Sequence, residues 1–271
     1  MKKLLVFGCL IFIFNCFALA APVPKKIISG IPSVTEILFA LGAGGQVIGV
    51  TTNCNYPPPA KNKIKVGDFF LNVEKIVALK PDLVVLLEEA QKTDVQRLKS
   101  FGLNVFTINP HSLDELAQSY IILGEKVGRR WQGEQLAAQL RRQAGRYKPR
   151  AFSLDFVLRR PRLLIVVGYR PLIVVGGGSF IDDIIKAAGA ENIAGEARMA
   201  YPEYSFEKLL QIDPDFIVLP NNIGVNNDPR WQLLSAVKKN RILMIDPDIL
   251  SRPGPRVVLA IEKIARFIRE N

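Results

Sequence analysis

Five short segments gather aromatic and polar side chains suited to gripping a small molecule. They are Asn53 with Tyr56, Phe69 with Phe70, Tyr169 with Arg170, Tyr201 with Tyr204, and the run Asp248-Ile249-Leu250-Ser251-Arg252. Their chemistry favours holding over converting: flat rings press on an apolar ligand, while amide, carboxylate and guanidinium groups orient it. No nucleophile, base and orienting group stand at credible spacing, so no catalytic residue is expected and the chain reads as a non-enzyme. His111 is the one histidine and follows Pro110 just before a helix cap; it makes neither a typical zinc site nor a Ser-His-Asp arrangement, and no metal site is expected. Cys54 lies among Asn53, Asn55 and Tyr56 with no basic neighbour to activate it, and reads as an exposed thiol or a half-buried filler. Gly176-Gly177-Gly178 sits where backbone N–H groups could cradle an anion, but neither nucleotide-binding spacing follows it, so it reads as a flexible turn near a cleft.

A second kind of chemistry comes in duplicate. Val73 to Leu86 is echoed 133 residues later by Phe206 to Leu219, with Glu74-Lys75 matched by Glu207-Lys208 and Pro81-Asp82 matched by Pro214-Asp215. Each copy predicts a short helix opened by a glutamate, a Pro-Asp turn and a hydrophobic strand. Two similarly built halves imply a cleft between them. The matched glutamates suit docking onto a two-fold symmetric partner.

The elements that must position these groups alternate between strand and helix, the pattern of a parallel sheet covered by helices. Lys26 to Ser29 predicts a first strand, and Ser33 with Glu36 has the spacing of a capping box for a helix ended by Gly42. A strand over Gln46 to Val50, a helix near Thr93 to Phe101 and a strand over Asn104 to Ile108 follow. A second capping box, Ser112 with Glu115, opens a helical periodicity that runs to about Tyr147 with Trp131, Leu136, Leu140, Ala144 and Tyr147 on one side. Its part from Arg129 to Tyr147 is about 28 Å long and predicts a rigid linker along both halves. A second series begins with Leu163 to Val167, continues through a helix over Phe180 to Ala188, and closes with a strand over Arg241 to Ile245 and a helix over Pro255 to Arg269.

Composition bounds the rest. Residues 1–20 hold two lysines, no acid, an apolar run and the ending Ala18-Leu19-Ala20, the layout of a cleaved secretory signal peptide. Neither Cys9 nor Cys16 has the surroundings of an acylated cysteine, so a soluble chain is expected over a lipidated one. Removal of the leader leaves Cys54 as the sole cysteine, which excludes an intramolecular disulfide. Of the 36 basic residues 34 then remain, and with 25 acidic residues they leave a net charge of +9, of which Arg129 to Arg162 holds +8. That local excess reads as a solvated basic helix face, with attraction to anionic lipid headgroups as the second reading. Without a binding module or interleaved aromatics, no nucleic-acid partner is expected.

Ile28 to Gly44, Val50 to Pro58, Lys65-Val66-Gly67 and the repeat together make a pattern that resembles the periplasmic binding proteins of ABC importers, over nearly all of the chain beyond residue 20. Within them it is most similar to the vitamin B12-binding branch of the group that also carries haem and ferric siderophores. The resemblance implies a class III periplasmic binding protein: two Rossmann-like α/β lobes, 21–128 and 161–271, joined by a single long helix within 129–160. It implies a periplasmic monomer that clamps cobalamin or a related corrinoid as transported ligand, with no cofactor, and delivers it to an inner-membrane permease and, through that, its ATPase. Glu74 and Glu207 fall where the family pairs with permease arginines. Ligand contacts fall on Asn53, where enteric members have tyrosine, and on Asp248 to Arg252; ring-pressing positions fall on Phe69, Tyr201 and Leu87. Haem or a ferric siderophore is the alternative ligand, with Tyr56, Tyr169 or Tyr201 as an iron ligand.

Overall fold

The computed structural model describes residues 22–147, 160–221 and 228–271. The predicted signal peptide and the end of the predicted interlobe helix lie outside the described residues. The first half builds a five-stranded sheet from β1 (Ile27–Ser29), β2 (Val47–Val50), β3 (Ile64–Lys65), β4 (Leu83–Leu87) and β5 (Val105–Ile108), in the order β3-β2-β1-β4-β5. Every neighbouring pair is parallel. Helices α1 (Pro32–Ala40), α2 (Val73–Leu79), α3 (Lys92–Ser100) and α4 (Leu113–Lys126) connect or cover the strands. The second half repeats the plan with β6 (Arg162–Gly168), β7 (Ile173–Val174), β8 (Glu191–Asn192), β9 (Phe216–Pro220) and β10 (Ile242–Ile245). In it, β10, β9, β6 and β8 pair in parallel, and β7 pairs antiparallel to β6. Helices α6 (Phe180–Ala187), α7 (Phe206–Ile212), α8 (Ser235–Lys238), α9 (Pro247–Leu250) and α10 (Val257–Glu270) complete it.

The repeat is carried down to backbone geometry. α2 and α7 are both seven residues long, capped by Asn72 and Ser205, and both end in a left-handed residue, Lys80 (φ 47°) and Asp213 (φ 42°). The aspartate of each Pro-Asp turn then anchors the first strand of its own half. Asp82 accepts from the backbone N–H groups of Lys25 and Lys26 at 2.7 and 2.8 Å, and Asp215 from that of Arg162 at 2.9 Å.

Strand periodicity decides where the core sits, because successive side chains point to opposite faces. Ile27, Leu83 and Val85 join Leu163, Ile165, Phe216 and Val218 in one apolar cluster, through α1, α4, the helix α5 (Arg130–Arg146), α6 and α10. Their alternates fill separate outer clusters: Ile28, Val84 and Leu86 in the first half, and Leu164, Val166, Ile217 and Leu219 in the second. The two sheets thus share a continuous inner core.

Two expectations need correction. The periodicity from Ser112 to Tyr147 is two helices: the chain turns at Gly128 (φ 71°), and α5 (Arg130–Arg146) runs back along α4. The reversal is close-packed, since a Cβ on Gly133 would lie 2.4 Å from the Tyr120 carbonyl oxygen and one on Gly124 2.8 Å from that of Arg129. α5, about 25 Å long, is the connecting helix; its far end brings the Tyr147 carbonyl against Gly189 of the second half. Its buried face is Gly133, Ala137 and Leu140, while Trp131 is exposed. Ser33 and Glu36 form no capping box either, because α1 starts at Pro32 with no side-chain cap. Ser112 does cap α4, by accepting from the Glu115 N–H at 3.1 Å. No described helix is long and apolar enough to cross a membrane.

Candidate ligand-binding site

In the first sheet the strand order reverses between β1 and β4, and the crevice beyond such a switch point is where open α/β sheets bind ligands. A cavity of about 500 Å³ opens there. Gly30 to Ser33 line it after β1, Thr52, Asn53 and Asn55 after β2, Asp68 and Phe69 after β3, and Leu87, Ala90 and Gln91 from β4 onward. The second half contributes Ser251, Arg252 and Pro253 from the segment after α9. The glycine at position 30 is required by crowding: a Cβ there would fall 2.1 Å from Leu86 Cδ2. Gln91 fixes one wall, donating from Nε2 to the Gly30 carbonyl at 2.8 Å and accepting from the Leu87 N–H at 3.2 Å.

One end of the cavity is held by ions that tie the halves together. Glu36 of α1 has its side chain 1 % exposed and meets Arg256 through Nε–Oε2 at 2.8 Å and Nη2–Oε1 at 2.6 Å, and Arg252 through Nη1–Oε1 at 3.3 Å. Arg252 also donates to Asp248 Oδ1 at 2.6 Å and Asn55 Oδ1 at 2.8 Å, and Asn55 in turn donates to Asp248 Oδ2 at 2.9 Å. Hydrogen bonding to Glu36 raises the Arg256 pKa above its ordinary value. The Arg256 guanidinium stacks 4.4 Å from the centre of the Tyr56 ring.

Of the sequence-predicted residues, the structure brings Asn53, Phe69, Ser251 and Arg252 to the cavity, together with Leu87. Asp248 stands behind Arg252. Ile249 and Leu250 are core residues, 4 % and 0 % exposed, because the one-turn helix α9 delivers its apolar pair to the inner cluster. Tyr56 lines a separate hollow with Phe39, Arg256 and Leu259. Phe70 is 83 % exposed and Tyr201 44 %, and neither lines the cavity; partial burial of the Tyr201 hydroxyl raises its pKa. Tyr169 and Tyr204 border another pocket in the second half with Arg170, Asp228 and Arg230. There the Tyr169 hydroxyl donates to Asp228 at 3.3 Å, and the Arg230 guanidinium holds the Asp228 carboxyl down to about 2. The five segments therefore do not converge on one site.

Glu74 and Glu207 are both exposed, each the second residue of its helix. The Glu207 pKa is lowered by its own backbone N–H and by the Ser205 hydroxyl, which favours the charged form. Cys54 is fully buried, with Thr35 and Thr51 hydroxyls 3.1 Å from its sulfur, so it is neither the exposed thiol nor the half-buried filler expected from the sequence. The glycines at 176 and 177 serve packing: a Cβ on either would lie 2.1 to 2.2 Å from the carbonyls of Met199 and Gly195. Sequence reasoning missed Glu36, Asn55, Gln91 and Arg256 as parts of the site. Gln91 and Asn55 were within reach of the rule that loops after strands line the crevice; Glu36 and Arg256 carried no local signal.

Residues 27–249 match the periplasmic binding protein family model. An uncharacterized ABC transporter substrate-binding lipoprotein of Bacillus subtilis (strain 168), YvrC, is 32% identical over 252 residues, covering 90% of this chain and 80% of the relative. The crystal structure of the periplasmic vitamin B12-binding protein BtuF of Vibrio cholerae superposes with a TM-score of 0.77 at 26% identity, over 91% of this chain and 97% of that one. The apo form of the periplasmic heme-binding protein RhuT from Roseiflexus sp. RS-1 matches with a TM-score of 0.76 at 27% identity, over 90% and 97%.

Proposed function

The chain belongs to the periplasmic binding protein family, and from that premise we propose that it is exported to the periplasm, captures cobalamin or a related corrinoid in the switch-point cavity, and hands it to an inner-membrane ABC permease. It is a substrate-binding protein of the ABC-transporter type and not an enzyme. The observation that carries the corrinoid reading is the make-up of the cavity wall. Aliphatic and aromatic groups, Ile31, Pro32, Phe69, Leu87 and Ala90, share the lining with hydroxyls, amides, Arg252 and Asp68, and no histidine, cysteine or tyrosine is among the lining residues described. A wall of this kind suits a chelate whose metal is already held by its own macrocycle, with amide side groups for the rim to read. Haem capture through a tyrosine iron ligand fits less well, because Tyr56, Tyr169 and Tyr201 are not among the described lining residues.

Calorimetry or the absorbance change of cobalamin and cobinamide tests the proposal. Stoichiometric binding with a Kd of about 1 µM or tighter is expected. Absence of binding at millimolar concentration of both ligands overturns it.

A further inference from the structure

The charges on the cavity wall do not match those of the chain. The full sequence carries +11, or +9 without residues 1–20, so an anion would be drawn to its surface at large, yet the described lining holds only two formal charges, Arg252 and Asp68. Arg252 is no free cation. Its guanidinium already faces the carboxylates of Asp248 at 2.6 Å and Glu36 at 3.3 Å, and Arg256 shares Glu36, so the cluster of two acids and two arginines is neutral. Apart from Asp68, the remaining polar side chains of the lining are neutral: the amides of Asn53, Asn55 and Gln91, and the hydroxyls of Ser33, Thr52 and Ser251.

Resting on the reading that this cavity holds a macrocyclic chelate, we infer that it selects by charge, accepting chelates whose side groups are neutral amides and rejecting those that carry carboxylates, with Glu36 and Asp248 as the specificity-determining residues. An amide carbonyl can take the N–H donors that Arg252 keeps in reserve, since a guanidinium has five, and an amide N–H₂ can donate to the oxygens of Asn53 or Asn55. A ligand carboxylate would meet the same donors with their charge already compensated. It would also meet Asp68, the one lining carboxylate outside that neutral cluster, and be repelled by it.

The test uses two ligand pairs that differ in this respect, dicyanocobinamide against dicyanocobyrinic acid, and haem diamide against haem. Each is titrated into the wild-type protein and into the E36Q and D248N variants. The inference expects the wild type to bind the amide member of a pair at least roughly tenfold more tightly, the scale of one charge-assisted hydrogen bond, and expects both variants to narrow that gap by freeing the Arg252 charge. Asp248 is partly exposed and outside the Arg256 pair, so D248N carries the test if E36Q fails to fold. Equal affinity of the wild type for the acid and amide members overturns the inference while leaving corrinoid binding intact. A gap unchanged in D248N and in folded E36Q overturns the role given to these carboxylates. An amide preference seen only with the porphyrin pair upholds charge selection and removes the corrinoid reading. Binding of neither pair removes both.

Discussion

Arg256 holds Glu36 through two short hydrogen bonds in a place largely closed to water. Such a pair gains little over an apolar substitute, but removing one partner strands the other as a buried charge. R256M should therefore destabilise the protein by about 3 kcal/mol, measured by urea unfolding. R252M should cost less, because Glu36 then keeps both Arg256 bonds. Asp228 supplies a second residue-level prediction. Its carboxyl is lowered from 3.8 to about 2, mainly by the side chain of Arg230 and next by its backbone N–H. A depressed folded value contributes stability that is present above the unfolded value and lost as pH falls through the folded one. The stability difference between wild type and D228N should thus be largest above about pH 4 and shrink toward about pH 2, read from unfolding midpoints across that range. Individual roles of this kind were the least legible part of the sequence. Glu36 stands three residues after Ser33, which is the spacing of a cap, while its real partners lie 216 and 220 residues away. No local pattern distinguishes the two.

Elements were legible where their cause is local. The Glu-Lys…Pro-Asp repeat encodes a helix, a Pro-Asp turn and a strand within fourteen residues, and the structure shows the helix and the strand in both halves, joined through a left-handed residue. The α4–α5 pair was misread because its apolar period continues across the break, and the turn is fixed by packing between the two helices. The helices approach through Gly124 and Gly133, where backbone meets backbone. G133A should cost about 1 to 3 kcal/mol, since a methyl there clashes with the Tyr120 carbonyl and neither helix can yield without opening the inner core. Urea denaturation of G133A beside G145A is the measurement. Gly145 lies on the same helix with nothing within 4 Å of an added Cβ, so G145A should leave stability unchanged or raise it through better helix propensity.

At the scale of the molecule, the inner core joins both sheets and the Glu36 cluster ties α1 to the segment before α10, so the two halves are in direct contact beside the cavity. We propose that the two helix starts that carry Glu74 and Glu207 form a two-point docking surface for the permease. Neither Glu74 nor Glu207 is among the residues lining the cavity, and both are exposed at a helix N-terminus, where the dipole favours a negative charge. Each exposed ion pair is worth only ~0.2 to 1 kcal/mol, so one contact alone cannot hold a complex and the pair must act together with the surface around them. The double reversal E74R/E207R should abolish ligand delivery in a reconstituted permease assay while leaving ligand affinity within about twofold of wild type; either single reversal should weaken delivery only in part. Raised salt should reproduce the loss of docking, since exposed charges are screened over about 8 Å at physiological ionic strength. A fall in ligand affinity in the double variant would assign these glutamates to the cleft, and normal delivery by it would place the docking face elsewhere on the protein.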